Sequence, residues 1–194
     1  MNLPNKLTLA RVILIPFFIF FLMTDFFAYS GFAALVIYVA ACITDFLDGY
    51  IARKNNLVTT FGKFLDPLAD KVLVAAALIC FVQMQRGDGH SIVSAVPVII
   101  IIFREFLVQG LRLVVVNDGI VVAAGMAGKL KTAFTMCSIV LILLYNALVC
   151  AGIVDGYGTA VIIAEQALIW ISALLTIISG MQYVSAYKDY IKQD

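Results

Sequence analysis

The sequence predicts an all-α protein, an integral membrane bundle of six transmembrane helices that forms a single domain over residues 1–194. The first reason is composition: 63% of the residues are hydrophobic and only 13% are charged, whereas soluble domains are near half apolar and about a quarter charged. The second reason is length, because a membrane helix needs roughly 20 mostly apolar residues. Six segments come close to that, and they are 7–23, 32–49, 63–83, 92–115, 131–150 and 160–182.

The first segment, 7–23, resembles a secretory signal in one respect, because Lys6 and Arg11 precede its apolar run. No persuasive small-residue cleavage site follows, and more apolar segments come after it, so we interpret it as a retained first span. Pro4 and Asn5 suit a helix start. The polar residues before the span are expected to lie along the membrane surface.

The other five segments follow after short breaks that are polar or rich in glycine, and none of these breaks is long enough to link two soluble domains. Lys and Arg favour the cytoplasmic side of a membrane. With both termini in the cytoplasm, all of the 13 Lys and Arg residues except Arg86 fall on that side. Arg104 fits this placement least well, because it lies within the fourth apolar segment. This bias fits an even number of spans and predicts that the polar chemistry faces the cytoplasm.

Composition also excludes several classes of function. The net charge of +1 gives no reason to expect a nucleic-acid partner. His90 lies in a polar stretch and is interpreted as a loop residue. The cysteines stand alone in apolar runs with no CxxC spacing, which indicates buried thiols rather than a disulfide or a zinc site; they are Cys42, Cys80, Cys137 and Cys150.

Four aspartates converge on the end of the second segment and the start of the third. Asp45 and Asp48 are three residues apart, and Asp66 and Asp70 are four apart, so each pair lies on one face of a helix. Acids inside membrane segments are costly and usually functional. Glu105 is expected to pair with a neighbouring arginine, and Glu165 to lie near the outer end of the last span.

Two acidic pairs that face each other form an oxygen-rich site. Such a site suits hard divalent cations, Mg²⁺ or Mn²⁺, and the lack of nearby His or Cys argues against zinc. Two cations there would offset the charge of a pyrophosphate and polarise the phosphorus under attack. Arg53 would add a fixed positive charge, and one acid would accept a hydroxyl proton.

The residues of this region also match a known pattern, Asp45-x2-Asp48-Gly49-x2-Ala52-Arg53-x8-Gly62-x3-Asp66-x3-Asp70. The pattern resembles the complete signature of the CDP-alcohol phosphotransferases, which are membrane enzymes. The resemblance implies that Asp45 and Asp66 bridge two metal ions, that Asp48 completes one metal site, and that Asp70 completes the other and acts as general base. It also implies a homodimer, and a CDP-diacylglycerol site near Gly49, Ala52, Arg53, Thr59 and Gly62, with weaker candidates in Asn5 and Thr8.

The acceptor is suggested by further segments, which are Asn5-x-Leu7-Thr8-x2-Arg11, Arg104-Glu105, Leu111-Arg112 and Gly128-Lys129-x-Lys131-Thr132. They resemble the bacterial branch of the family that transfers to glycerol 3-phosphate in the cell membrane. That acceptor is an anion, and Arg112, Lys129 and Lys131 would supply cations to it, with Arg104 as a fourth candidate. Ordinary positive-inside topology also explains much of this charge.

Two alternatives stay open. A sister enzyme with another acceptor, of the cardiolipin synthase or inositol-phosphate type, would keep the same donor chemistry. A small membrane transporter would also use acids within the membrane. The transporter is disfavoured because the acids lie at one face of the membrane and no duplicated half is visible.

Overall fold

The computed structural model describes residues 3–24, 26–54, 60–87, 89–117 and 126–191. Within its helices, the side chains of 3–5, 46, 48–54, 60–67, 112–117, 127 and 186–191 lie outside this description. The described residues form six α-helices and no β-strand beyond a single bridge between Gln85 and Ser91. The helices are α1 (Leu3–Met23), α2 (Ser30–Lys54), α3 (Thr60–Gln83), α4 (Ala95–Asn117), α5 (Met126–Cys150) and α6 (Thr159–Ile191).

The all-helical prediction is confirmed for the described residues, and each of the six apolar segments falls largely within its own helix. Three helices are long and apolar enough to cross a membrane in the described part, over Lys6–Met23, Gly128–Cys150 and Thr159–Ser185. The apolar run of α2 is shorter, Ser30–Asp45. Charged residues such as Asp70 in α3 and Arg104 in α4 interrupt the other two helices. Six membrane crossings therefore stay a prediction.

The helices form a closed ring. Helix α1 packs against α2 and α3, α2 packs against α5, α5 against α6, α6 against α4, and α4 returns to α3. Helix α3 also reaches across the ring to α2 and α5. The core between them is apolar and fully buried, with Phe18, Tyr38, Leu78, Phe81 and Ile142 among its large side chains. Exposed apolar side chains remain on the outer faces of the helices, such as Ile79 of α3 and Leu141 of α5, and these faces can contact lipid while α3 ties the ring together.

Helices α2 and α5 approach closely at Gly31. A Cβ atom placed on Gly31 would lie 2.9 Å from the Cα of Ala147, which is too close for any side chain without a shift of the backbone. Small residues commonly permit such contacts between membrane helices. This contact holds α2 and α5 together near the end where α2 begins.

An ion pair lies at the opposite end of the bundle from the four aspartates. The Nη2 of Arg86 donates to Oε2 of Glu165 at 2.8 Å, and both side chains are buried. The same guanidinium donates to the carbonyl oxygen of Ile92 at 2.6 Å and lies over the ring of Tyr157. Burial, followed by the nearby Glu165 carboxylate, raises the pKa of Tyr157 well above its usual range. Its neutral hydroxyl donates to Oδ1 of Asn146 at 2.8 Å.

Candidate active site

The first acid of the predicted site is paired with an arginine from α1. Oδ1 of Asp45, near the end of the apolar part of α2, lies 2.7 Å from Nη1 of Arg11. The Arg11 side chain is 0% exposed and that of Asp45 is 37% exposed. A wholly buried guanidinium needs a counter-ion, and Asp45 supplies one while keeping an open side for a ligand. Thr8, one turn earlier on α1, is also buried.

Asp70 lies in the same neighbourhood. It is half-buried, ten residues into α3, and its carboxyl interacts electrostatically with Asp45, Lys71, Arg11 and Lys131. Helices α2 and α3 therefore place the two described acids within electrostatic range of each other. The backbones of Asp48 and Asp66 continue these two helices one turn nearer the connection, and their side chains lie outside the described ones.

The cations from α4 and α5 meet at one carboxylate. Oε1 of Glu105 contacts Nζ of Lys131 and lies 3.5 Å from Nη1 of Arg104. Lys131 also interacts electrostatically with Asp70. The expected pairing of Glu105 with a neighbouring arginine is confirmed, and Lys131 is a second partner. This carboxylate and its two cations form the Glu105 cluster.

Helix α6 holds the Glu105 cluster from the other side. The Nη2 of Arg104 donates to Oγ of Ser179 at 2.8 Å. A Cβ placed on the next residue, Gly180, would lie 3.1 Å from Cγ of Arg104. The glycine therefore makes room for the aliphatic part of the arginine, and the serine orients its guanidinium.

An apolar groove opens on the lipid side of these charges, between α2 and α5. Its volume is about 610 Å³. Cys42, which lines it, is one turn before Asp45 and interacts electrostatically with Asp45 and Asp70, so the prediction that no Cys lies near the acids was wrong. The other lining residues are Val39, Ile43, Leu47, Met136, Cys137, Val140 and Leu141. The prediction of buried thiols holds for Cys80 and is wrong for Cys137 and Cys150, which are exposed.

The remaining predicted residues divide into two groups. Lys129 is exposed, and it lies two residues before Lys131 on α5, so it is on a different face of the helix. The side chains of Asn5, Gly49, Ala52, Arg53, Gly62 and Arg112 lie outside the described ones, and Thr59 lies outside the described residues altogether.

Among the side chains that are described, no three carboxylate, imidazole or thiol groups gather to hold a metal ion. Asp45 and Asp70 still provide the oxygen donors that hard divalent cations prefer.

Three residues of this region were not predicted as site residues, namely Arg11, Glu105 and Ser179. A charge inside an apolar segment is by itself a signal of function, and Arg11 and Glu105 carried that signal. Their partners depend on how the helices pack, which helical spacing does not reveal. Ser179 carried no signal, because small polar residues are common where membrane helices pack together.

The fold and the site thus define a helical membrane protein whose carboxylates and cations converge at one end beside a lipid-facing groove. The model of the CDP-alcohol phosphatidyltransferase family matches residues 1–178, and the chain belongs to that family. Members of the family are phosphotransferases that use divalent metal ions. The chain is therefore an enzyme of phospholipid synthesis in a membrane.

Curated relatives match this chain over nearly its whole length. A protein of Bacillus subtilis (strain 168) is 41% identical, and the match covers 98% of this chain and 97% of the relative. A protein of Rickettsia typhi is 39% identical, covering 97% and 98%, and one of Escherichia coli (strain K12) is 38% identical, covering 95% and 94%. All three relatives are named CDP-diacylglycerol–glycerol-3-phosphate 3-phosphatidyltransferase.

Proposed function

We propose that this enzyme transfers the phosphatidyl group of CDP-diacylglycerol to a hydroxyl of glycerol 3-phosphate and releases CMP. The observation that carries the proposal is that Asp70 interacts electrostatically with both Asp45 and Lys131, next to an apolar groove. In this arrangement the acids would bind the metal ions, Lys131 the acceptor phosphate, and the groove an acyl chain of the donor. The names of the relatives agree with it.

The apolar groove supports a lipid donor. Exposed Ile43, Leu47 and Leu141 line it, so an acyl chain there remains in contact with the membrane. Cys42 connects the groove to the acids, since it lines the groove one turn from Asp45. An acyl chain in the groove would therefore bring the donor phosphates towards Asp45 and Asp70. Gly49, Ala52, Arg53, Thr59, Gly62, Asn5 and Thr8 are the proposed nucleotide contacts.

Asp45, Asp48, Asp66 and Asp70 are the proposed ligands of two divalent cations, Mg²⁺ or Mn²⁺. When bound, the cations would offset the charge of the donor phosphates and polarise the phosphorus. The acceptor oxygen forms a bond to the phosphorus that carries the lipid, and the bond from that phosphorus to CMP breaks. Asp70 accepts the hydroxyl proton, and Arg11 keeps Asp45 oriented through their ion pair.

The acceptor phosphate is proposed to bind at Lys131 and Arg104, with Lys129 and Arg112 nearby in sequence. Lys131 supports this most directly, because it is buried and interacts with both Asp70 and Arg104. A lysine that served only to mark the cytoplasmic side of the membrane would have no reason to be buried against other charges. A phosphate at Lys131 would present the acceptor hydroxyl towards Asp70.

We also propose that the protein is a homodimer of the bacterial inner membrane with its active site facing the cytoplasm. The distribution of Lys and Arg supports this orientation. Arg11, Asp45, Asp70, Arg104 and Lys131 would then all face the compartment that holds glycerol 3-phosphate. Crosslinking in native membranes tests the homodimer.

The reaction is tested with purified enzyme in detergent, CDP-diacylglycerol and an acceptor. We expect CMP release that requires Mg²⁺ or Mn²⁺, stops when a chelator removes the metal, and is fastest with glycerol 3-phosphate. Faster transfer to phosphatidylglycerol or to inositol phosphate would identify a sister enzyme of the family instead. Failure to release CMP with any acceptor, despite folded protein, would favour the transporter.

A further inference from the structure

The Glu105 cluster contains a negative charge at the position where an acceptor phosphate would need to bind. One carboxylate oxygen, Oε1 of Glu105, contacts the Lys131 ammonium and faces the Arg104 guanidinium at 3.5 Å. A phosphate oxygen that bound both cations would occupy the same place. The carboxylate therefore acts as an internal substitute for the phosphate when no acceptor is bound.

Burial explains why a substitute is needed. The side chains of Lys131 and Arg104 are only 6% and 13% exposed. A buried cation without a partner is strongly unfavourable, so the two cations need an anion while the site is empty. Glu105 provides it from α4, the helix that also carries Arg104.

The three side chains differ in how firmly they are held. Arg104 donates to Ser179 and lies against Gly180 of α6, and Lys131 is the most buried of the three. Glu105 is the most exposed, at 21%. When an anion arrives, Glu105 is thus the member of the cluster that can turn towards solvent.

We propose that Glu105 competes with the acceptor phosphate for Lys131 and Arg104, so that an incoming phosphate group must displace it. This inference rests on the proposed function, because it concerns the acceptor subsite of that reaction. A phosphate group that replaces the carboxylate gains only the difference between its own attraction to the two cations and that of Glu105. Glu105 therefore lowers the affinity of the subsite for every phosphate group, monoester or diester, and keeps the two cations compensated until one binds.

The test compares two probes of the same chemistry, methyl phosphate and dimethyl phosphate, which differ by one charge. Binding is measured as ligand-induced thermal stabilisation of the purified enzyme at pH 8, without donor lipid. Wild-type protein is expected to prefer methyl phosphate. Glu105→Gln is expected to bind both probes roughly tenfold more tightly, a change of about 1.4 kcal/mol, because neither probe then has to displace a carboxylate.

Kinetics supply a second readout. In Glu105→Gln the KM for glycerol 3-phosphate should fall several-fold while kcat does not rise, and inorganic phosphate should inhibit more strongly. Asp155→Asn also removes one carboxylate, at an exposed position far from the cluster, and should leave both the probe affinities and KM unchanged. Should Glu105→Gln not fold, Glu105→Asp keeps the charge at a shorter reach and is expected to show intermediate probe affinities.

Unchanged or weaker binding of the two probes in both Glu105 variants would overturn the inference. These results are separable from the proposed function. If the probes bind more tightly to Glu105→Gln but glycerol 3-phosphate is not an acceptor, the proposed reaction fails and Glu105 still competes with phosphate groups. If glycerol 3-phosphate is the acceptor and the probe affinities do not change, the role of Glu105 fails alone.

Discussion

Asp70 has two roles in the proposed reaction, because its carboxylate is both a metal ligand and the group that accepts the proton of the acceptor hydroxyl. Its half-buried carboxyl lies among Asp45, Arg11 and Lys131, so it is close to both the proposed metal ligands and the proposed acceptor. An amide in its place would keep the shape of the side chain and lose its ability to accept a proton.

Asp70→Asn is therefore expected to lower kcat by roughly 10²–10⁴-fold, the usual contribution of a general base. CMP release measures the loss, and gel filtration of the purified variant shows whether it is folded. Asp155→Asn, an equivalent change at an exposed position away from the site, should retain activity. Near-normal turnover by Asp70→Asn would remove the general-base assignment.

Contacts between side chains of different helices are the part of the site that could not be predicted from the sequence. Helical spacing predicts that the two acids of each pair share a helix face, because they are three or four positions apart, and Asp45 and Asp70 do interact electrostatically. It was not sufficient to pair Arg11 with Asp45, since that contact depends on how α1 crosses α2. The two partners of Glu105 depend in the same way on the packing of α4 against α5.

At the scale of helices, the apolar groove is formed by the facing sides of α2 and α5. Filling it should affect the lipid donor and spare the water-soluble acceptor. Cys137→Trp, at an exposed groove position on α5, is expected to raise the KM for CDP-diacylglycerol by roughly tenfold, or about 1.4 kcal/mol. The KM for glycerol 3-phosphate should hardly change.

The control for the groove is Ile171→Trp on α6, which adds the same bulk at an exposed position that does not line the groove. Both constants are measured in mixed micelles of varied CDP-diacylglycerol content. Equal effects of the two tryptophans on the donor KM would argue against an acyl chain between α2 and α5.

Helix α6 and the chain before α4 are joined by the Arg86–Glu165 pair. Removing one partner of a buried pair leaves an uncompensated charge, so Glu165→Gln is expected to destabilise the protein by about 3–5 kcal/mol. Thermal unfolding in detergent measures the loss. Arg86→Met together with Glu165→Met removes both charges and should recover much of the stability. A double variant less stable than Glu165→Gln would contradict this account.

At the scale of the whole molecule, the described charges separate into two ends. Arg11, Asp45, Asp70 and Lys131 lie at one end of the bundle, and Arg86 lies with Glu165 at the other. The positive-inside bias of the sequence predicted this separation. The number of membrane crossings was less accessible from sequence, because α3 and α4 combine apolar runs with charges whose cost depends on burial by neighbouring helices.

The orientation is tested by labelling single cysteines in a variant that lacks the four native ones. In intact cells, a membrane-impermeant maleimide should label Asp155→Cys, at the end that carries Arg86. Lys129→Cys should react only after the cells are permeabilised, because it lies at the cytoplasmic end. Both positions are exposed. Labelling of Lys129→Cys in intact cells would reverse the proposed orientation.

Helix α6 has a further consequence for how the chain is made. Its Glu165 and Ser179 bind Arg86 and Arg104, two arginines that the ribosome produces more than seventy residues earlier. Until α6 has entered the membrane, these arginines lack those two partners. Helix α6 thus supplies a partner both to the chain before α4 and to the middle of α4. A chain without it would leave Arg86 without its carboxylate partner and Arg104 without its serine partner, a defect by which cellular quality control can distinguish an unfinished enzyme from a finished one.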